Sequence, residues 1–402
     1  MESLDMFAHS KLAQLEAGSL RRQLQQTDRG PCAEANRQGR RLLSFCCNDY
    51  LNLTHHPAVK LAARDALERW GTGSGASRLV TGNHSLLIRL EERLARLRGT
   101  EDCVVFGSGY LANLGIVPAL VGPQDVILAD ELCHACLLAG AGLSGAATRL
   151  FRHNDMQNLA ELLQNERSRY RFCLILTDGV FSMDGDLAPL PEMNALATAH
   201  DAWLMSDDAH GIGVIGAGRG STHAHGPAVR IPLQMGTLSK AIGSYGGYLC
   251  ASRPVIDLIR TRARTLIYST GLPPASAAAA IAALDVIEND PERVARPLVK
   301  ARLFTGVLGL PEAVSPIVPL VLGCPRATLS ASALLEREGY LVSAIRPPTV
   351  PEGTSRLRFT FTAEHRDQDI LRLADLVHNR ILLRDTGPFG QRADAAPRVS
   401  QL

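Results

Sequence analysis

The stretch Ala202–Gly211 reads AWLMSDDAHG. It is a short apolar run that ends in acidic and turn-forming residues, which is typical of a buried strand leading into a loop. Three further runs have the same form, with helical patterns between them: Cys103–Gly109 (CVVFGSG), Asp125–Asp130 (DVILAD) and Cys173–Val180 (CLILTDGV). This alternation predicts an α/β fold with a mainly parallel sheet that helices cover on both faces. Ligands bind beyond the carboxyl ends of such strands, so we expect the chemistry on these loops.

Four segments are expected along the chain: an N-terminal arm at 1–45, a large domain at 46–290, a smaller C-terminal α+β domain at 291–384 and a disordered tail at 385–402. The arm is predicted to hold an amphipathic helix followed by the short strand RRLLSF, and the apolar positions of that helix are Leu4, Phe7, Leu12 and Leu15. In the C-terminal domain the pattern predicts a helix after Pro291, apolar runs at Ile317–Leu322 and Tyr340–Ile345, the alternating string SRLRFTFT and a last helix from Arg366.

Composition excludes several classes of function. The 402 residues carry 42 Lys and Arg against 40 Asp and Glu, so no basic field indicates nucleic acid as a partner. Runs of 18 apolar residues are lacking, and the alanine-rich stretch 275–286 predicts a packed helix rather than a membrane span. The nine cysteines and the polar start MESLDMFAHSK favour a reducing cytoplasm. Cys133 and Cys136 lack a second pair at zinc spacing, so we expect buried thiols and no metal site.

The string TLSK, Thr237–Lys240, precedes the glycine-rich AIGSYGG. A lysine at this position can hold an aldehyde as an imine, while Thr237 and Ser239 donate hydrogen bonds to a phosphate. A surface lysine in a loop is the alternative interpretation of these residues. The run AWLMSDDAHG favours the first interpretation, because a carboxylate at Asp207 suits a buried pyridinium nitrogen and His210 can donate to the phenolic oxygen of the same ring.

A second glycine-rich segment, Gly107–Tyr110 (GSGY), follows the run CVVF and precedes a helical pattern. A tight turn at the start of a helix forms an anion site from backbone N–H groups and the helix dipole. The segment is neither a Walker loop nor a complete dinucleotide fingerprint. It therefore favours one phosphate monoester, with a purely structural turn as the alternative.

The chain resembles the α-oxoamine synthases, fold-type I pyridoxal-phosphate enzymes that join an amino acid to an acyl thioester with loss of CO2. The resemblance covers about residues 20 to 380 and rests on six strings: NDYLNL (Asn48–Leu53), GTGSGASRLVTGNH (Gly71–His84), GVFSMDGD (Gly179–Asp186), DDAHGIGVIGAGRGS (Asp207–Ser221), TLSKAIGSYGG (from Thr237) and AIRPPTVPEGTSRLR (Ala344–Arg358). Within that family, AIRPPTVP favours L-alanine and a pimeloyl thioester as substrates.

The resemblance implies pyridoxal 5′-phosphate as the cofactor and Lys240 as its Schiff-base lysine and later the base at Cα. Asp207 would pair with the ring nitrogen, and His134, with His210, would complete the catalytic set. The cofactor-binding residues carried over from the family are Gly109, Tyr110, His134, Ser182, Asp207, His210, Thr237, Lys240 and Thr270, the last serving the neighbouring subunit of a homodimer.

The resemblance also places substrate-binding residues at Arg21, Asn48, His134, Thr349 and Arg358. Arg358 is expected to bind the amino-acid carboxylate with two hydrogen bonds, but Arg356 stays open because residues two apart share one face of a strand. The acyl carrier, CoA or an acyl carrier protein, also stays open. Alternative functions are a family member that uses glycine or L-serine with another acyl thioester, an aminotransferase or lyase on the same fold, and a non-catalytic protein.

Overall fold

The computed structural model describes residues 2–383. The first 44 residues form helix α1 (Glu2–Ala17) and three strands, β1 (Asp28–Arg29), β2 (Glu34–Arg37) and β3 (Arg40–Ser44). Helix α1 is the predicted helix and β3 is the predicted strand. The apolar side chains of α1 stay exposed, from 41% at Leu12 and Leu15 to 66% at Leu4, so this helix buries no core of its own.

Alternating helices and strands follow in the large unit. Their bounds are α2 (Pro57–Trp70), α3 (Ser85–Arg98), β4 (Asp102–Phe106), α4 (Gly109–Leu120), β5 (Val126–Asp130), α5 (Ala135–Ser144), β6 (Ala147–Phe151), α6 (Met156–Glu166), β7 (Cys173–Asp178), α7 (Leu190–Ala199), β8 (Trp203–Asp207), β9 (Leu233–Thr237), β10 (Gly247–Ala251), α8 (Arg253–Arg262), α9 (Arg264–Ile267) and α10 (Pro274–Asn289). Short 3₁₀ segments lie at Leu53–His55, Arg167–Arg169 and Ser221–His223.

Seven of these strands form one sheet in the order β4-β10-β9-β8-β7-β5-β6. Strand β10 runs antiparallel to both of its neighbours, and the other neighbouring pairs are parallel. The four apolar runs of the sequence are β4, β5, β7 and β8. The prediction of a mainly parallel sheet is therefore confirmed.

Both faces of this sheet are buried. Cys103 and Val105 of β4 pack into a core with α3 and α10, whereas Val104 and Phe106 of the same strand pack into a second core with α4. Successive side chains of a strand point to opposite faces, which explains the continuous apolar run CVVF. The alanine-rich stretch lies within α10, which is packed and mostly buried, as the sequence predicts.

The C-terminal part has its own apolar core, built around Phe304, Phe359, Phe361 and Leu373. Its elements are α11 (Pro291–Leu308), β11 (Ile317–Gly323), α12 (Pro325–Arg337), β12 (Tyr340–Leu341), β13 (Ser343–Ile345), β14 (Ser355–Thr360), α13 (Asp367–Val377) and a π-helical turn at His378–Leu382. Strands β11, β14 and β13 form an antiparallel sheet, while β12 pairs with β3 of the arm. This matches the expected smaller α+β unit. The boundaries at 45/46 and 290/291 stay predictions, and the tail predicted from 385 lies outside the described residues.

Candidate active site

A cavity of about 250 Å³ opens at the carboxyl edge of the large sheet. Its walls come from the loops after β4, β5, β7, β8 and β9. The lining residues are Ser108, Gly109, Tyr110, His134, Cys136, Asp178, Asp207, Ala209, His210, Met235, Thr237, Ser239 and Lys240. Seven of the site residues expected from the sequence meet here. This is the edge at which open parallel sheets bind ligands.

Lys240 lies just beyond β9, and its Nζ is 2.7 Å from Nε2 of His210. Burial disfavours the charged ammonium and lowers the pKa of Lys240 to about 8, an effect that the nearby Asp207 carboxylate partly opposes. The same burial, together with the Lys240 and Arg358 cations, lowers the pKa of His210 well below its usual range. The pair therefore joins a neutral imidazole to an amine that loses its proton near neutral pH.

Asp207 ends β8 and is buried beside the cavity. Its carboxylate accepts a hydrogen bond from Nδ2 of Asn113 at 2.7 Å and one from the backbone N–H of Ala209 at 3.0 Å. Asp178 pairs with Asp207 in the register of β7 and β8. Burial and the neighbouring Asp207 raise the pKa of Asp178 well above its usual range. Two carboxyl groups thus lie at the same edge of the sheet, and the negative charge of Asp178 is disfavoured there.

His134 caps the N-terminus of α5 and lines the cavity. Its Nδ1 accepts a hydrogen bond from the backbone N–H of Cys136 at 3.3 Å and lies 2.7 Å from the Cys136 Sγ. Burial raises the pKa of Cys136 to about 12, so the thiol keeps its proton and can donate it. Burial also lowers the pKa of His134. These partners assign a neutral ring with its proton on Nε2.

The start of α4, where the sequence predicts an anion site, lines the same cavity. Ser108 is its N-cap, with its side chain accepting from the N–H of Leu111, and Gly109 is the first residue of the helix. A Cβ on Gly247 would lie 2.6 Å from both Cα and N of Gly109, so β10 crosses this turn in direct backbone contact. The Thr237 hydroxyl donates to the Gly246 carbonyl at 2.7 Å and lies 2.8 Å from the Ser239 hydroxyl. Free N–H groups at the start of a helix fit a phosphate monoester.

Asn48 and Arg358 join the site through Tyr50. The Tyr50 hydroxyl is 2.7 Å from Nδ1 of His210 and 3.4 Å from Oδ1 of Asn48. Nη1 of Arg358 donates to the same Asn48 oxygen at 3.2 Å. A continuous chain of polar contacts therefore runs from Arg358 through Asn48, Tyr50 and His210 to Lys240.

Arg356 and Arg358 are both buried on β14, but their partners differ. Arg356 forms an ion pair with Asp184. Nε of Arg358 donates to the Ser182 carbonyl, whereas its Nη2 is buried and has no hydrogen-bond partner among residues 2–383. A buried donor without a partner is costly, which favours Arg358 as the group that receives a carboxylate. The two arginines that the sequence left open thus differ in their partners.

The remaining expected residues do not line the cavity of the single chain. Ser182 is buried in the loop after β7 and reaches the site only through its carbonyl on Arg358. Thr270 is exposed and forms a β-bridge with Ser77. The other two, Arg21 and Thr349, are exposed and pair with Glu16 and Arg22 respectively. Their expected roles stay predictions.

Four residues of the site were not predicted from the sequence: Tyr50, Asn113, Cys136 and Asp178. Asp178 ends the run CLILTD, so the same strand-end signal that marks Asp207 marks it as well. Tyr50 lies two residues after Asn48 in NDYLNL. Asn113 lies inside a helix pattern, where an isolated amide gives no signal. Within residues 2–383, no cluster of three or more His, Cys, Asp or Glu side chains is placed to hold a metal ion. The helices of that range are all too short or too polar to cross a membrane.

Comparison with known proteins gives the family. The aminotransferase class I and II family matches residues 40–377. The 8-amino-7-oxononanoate synthase of Beijerinckia indica is 63% identical over 377 residues, which cover 94% of this chain and 98% of that protein. A synthase of the same name from Methylocella silvestris is 66% identical over 347 residues, 86% of this chain and 99% of its own.

Among solved structures, a serine palmitoyltransferase variant from S. paucimobilis with bound PLP has a similar fold. The TM-score is 0.86 at 29% identity, with 92% of this chain and 95% of that chain covered. The fold is thus that of the fold-type I PLP transferases. The chain therefore belongs to the aminotransferase class I and II family, within the group formed by the 8-amino-7-oxononanoate synthases.

Proposed function

We propose that this chain is the acyltransferase that condenses L-alanine with a pimeloyl thioester to give 8-amino-7-oxononanoate, CO2 and the free thiol, a step of biotin biosynthesis. One observation carries the proposal: the buried Lys240 amine, with its pKa lowered to about 8, lines the same cavity as Asp207. Polar contacts connect it to Arg358, whose Nη2 has no hydrogen-bond partner among residues 2–383. The names of the relatives give the product, and the motif AIRPPTVP supports L-alanine and a pimeloyl thioester as the substrates.

Pyridoxal 5′-phosphate is the cofactor, and the residues of the cavity fit it. We assign its aldehyde to Lys240, its ring nitrogen to Asp207, its ring face to the neutral His134, and its phenolic oxygen to His210 and the Ser182 region. Its phosphate is assigned to Gly109, Tyr110 and Thr237, where the tight contact between Gly109 and Gly247 leaves room for no side chain. When bound, the cofactor supplies a cationic ring that withdraws electrons from the Cα of the amino acid.

Arg358 is the residue that orients the amino acid. Its guanidinium carries a free buried donor, Nη2, beside Nη1, and a planar guanidinium grips a carboxylate with two parallel hydrogen bonds. Asn48 accepts a hydrogen bond from Nη1 and therefore fixes the orientation of the guanidinium. A fixed carboxylate in turn fixes which bond at Cα is aligned for cleavage.

Lys240 moves the proton at Cα. Because burial lowers the pKa of Lys240 to about 8, a substantial fraction of the amine is neutral at pH 7 to 8 and can accept that proton. The carbon then forms its new bond to the thioester carbonyl, the thiol leaves, and the carboxylate held by Arg358 departs as CO2. Lys240 afterwards returns a proton to Cα, which completes the aminoketone.

The assembly and the acyl site are also proposals. We infer a homodimer in which Thr270, exposed beside Ser77, serves the phosphate site of the neighbouring subunit. Arg21 and Thr349 are proposed for the acyl chain, since the segment around Arg21 lies against the loop of Thr349 through the 2.8 Å contact of Arg22. CoA and an acyl carrier protein are both candidate carriers, and we expect the reaction in the cytoplasm.

A serine-using synthase is the second candidate function, because a serine palmitoyltransferase structure matches at a TM-score of 0.86. The test is a matrix of L-alanine, glycine and L-serine against pimeloyl, acetyl, succinyl and palmitoyl thioesters, with thiol release as the signal. We expect pimeloyl plus alanine to be the fastest pair. A faster serine and palmitoyl pair would assign the second function, and keto acid without thiol release would assign an aminotransferase.

The role of Lys240 has a direct test of its own. Lys240→Ala should abolish the imine absorbance that full-length protein acquires with pyridoxal 5′-phosphate, whereas Lys60→Ala, on the exposed face of α2, should leave it unchanged. An unaltered absorbance in Lys240→Ala would contradict the assignment of the site.

A further inference from the structure

Tyr50 is fully buried, at 0% exposure, and its hydroxyl contacts His210 in the site. That hydroxyl has two neighbours that can accept its proton: Nδ1 of His210 at 2.7 Å and Oδ1 of Asn48 at 3.4 Å. The shorter contact has the length of a strong hydrogen bond, whereas the longer one lies at the limit of hydrogen bonding. Burial raises the pKa of Tyr50 to about 12, so the hydroxyl keeps its proton at neutral pH. Tyr50 therefore donates to His210.

This donation determines which nitrogen of His210 carries hydrogen. A neutral imidazole has one N–H, and a ring that accepts at Nδ1 must carry its proton on Nε2. Nε2 is the nitrogen that faces Lys240 Nζ, at 2.7 Å. With the proton on Nδ1 instead, Nε2 would present a lone pair to Lys240 and would stabilise the ammonium.

We propose that Tyr50 is a positioning residue that fixes His210 in the tautomer with hydrogen on Nε2, so that His210 acts as a donor towards Lys240 and the cofactor. This inference rests on the proposed function, in which Lys240 carries the cofactor. It gives NDYLNL a second function besides the Asn48 contact to Arg358. Tyr50 touches neither substrate nor reacting atoms, and its effect passes through His210.

Because His210 donates from Nε2, it favours a neutral Lys240 over the ammonium. The other titratable or charged groups that face Lys240 come from several elements and act in both directions: Asp178 and Asp207 favour the ammonium, Arg358 disfavours it, and Cys136 and His134 stay neutral. Of these groups, Arg358 also hydrogen-bonds the Tyr50 hydroxyl. A shift of the Lys240 titration in Tyr50→Phe is therefore assigned to His210 when the ¹⁵N spectrum of the same variant shows the proton of His210 moved to Nδ1.

The tautomer can be measured directly in the wild-type chain. Full-length protein labelled with ¹⁵N-histidine, with and without pyridoxal 5′-phosphate, should show His210 with an unprotonated Nδ1 and a protonated Nε2, the His210→Asn spectrum serving for assignment. A protonated Nδ1 would overturn the proposal. This measurement uses no Tyr50 variant, so it decides the matter even if Tyr50→Phe fails to fold.

The consequence for Lys240 is tested by the rate of cofactor uptake against pH. Uptake requires the neutral amine, because its lone pair attacks the aldehyde carbon and the aldehyde oxygen leaves as water. In Tyr50→Phe the pH midpoint of the uptake rate should move to higher pH. Uptake at pH 7 should slow by about two- to tenfold, which is the factor that corresponds to the loss of one neutral hydrogen bond. A wild-type midpoint in this variant would overturn the proposal.

Tyr248→Phe is the matched control. Tyr248 is also fully buried, but its hydroxyl has no hydrogen-bond partner within the described residues. It should take up the cofactor with the wild-type pH midpoint, and an equal shift in both variants would assign the effect to packing and overturn the proposal. Loss of uptake in Lys240→Ala tests the proposed function separately, since the His210 tautomer does not depend on it.

Discussion

Substituting each buried arginine of β14 separates their roles. In Arg358→Gln the site loses a guanidinium whose Nη2 is buried without a partner in the described part of the chain. A hydrogen bond to a charged group contributes about 1.5–3 kcal/mol, and the guanidinium offers two to a carboxylate. Gln retains one neutral donor, so about 3–4 kcal/mol of binding should be lost. At 1.4 kcal/mol for each factor of ten, kcat/KM for L-alanine should fall about 100- to 1000-fold.

Arg356→Gln is the matched comparison on the same face of the strand. It leaves Asp184, whose side chain is 30% exposed, without its cation, so we expect a loss of about 1–3 kcal/mol in unfolding free energy and a change in kcat/KM of less than tenfold. Thiol release at saturating pimeloyl thioester measures kcat/KM, and urea unfolding measures stability. The cofactor absorbance must be intact in both variants. A larger loss of kcat/KM in Arg356→Gln than in Arg358→Gln would refute the assignment.

Two further substitutions test the phosphate turn and the charge of His153. Gly247→Ala would place a Cβ 2.6 Å from Cα and N of Gly109, so the phosphate turn must shift. We expect cofactor binding, measured by absorbance titration, to be at least tenfold weaker. Unchanged affinity would contradict the phosphate assignment. His153 lies 3.0 Å from Asp130 and 2.7 Å from Asp186, hydrogen bonds that outweigh its burial and raise its pKa to about 10. Its stabilising effect should be complete below pH about 6.5 and lost as pH rises through about 10, so stability measured by urea unfolding should fall more between pH 7 and 10 in the wild type than in His153→Gln. Equal slopes would show that His153 is not charged in the folded chain.

The strand ends were the most predictable part of the site. Each apolar run that stops at a polar residue marks a strand carboxyl end, and parallel strands bring those ends to one edge, so the sequence alone places Asp207, Gly109 and Lys240 together. The family resemblance added His134. The sheet order, which carries β10 between β4 and β9, could not be read from the runs, because neighbours in a sheet need not be neighbours in sequence.

Contacts between distant segments could not be predicted. The chain from Arg358 to Lys240 joins the loop after β3, the loop after β8, the loop after β9 and strand β14. Spacing within one segment carries no information about such contacts. The same limit applies to Arg356 and Arg358. They share a face of β14, but Arg356 meets Asp184 and Arg358 meets the Ser182 carbonyl of the large unit.

The two aspartates at the cavity show why one carboxylate, and not the other, is suited to hold the ring cation. Asp178 and Asp207 face each other on adjacent strands, and two buried anions at this distance are unfavourable, so one of them takes a proton. Asp207 is the better anion, because the Asn113 amide and the backbone N–H of Ala209 both donate to it. Asp178 accepts from the backbone N–H of His134, while burial and the neighbouring Asp207 raise its pKa well above the usual range, so its charged form is the disfavoured one of the two. The negative charge of Asp207 attracts a cation at the ring nitrogen. The same charge opposes the lowering of the Lys240 pKa by burial. Asp207 therefore acts on both the electron-withdrawing ring and the base of the proposed reaction.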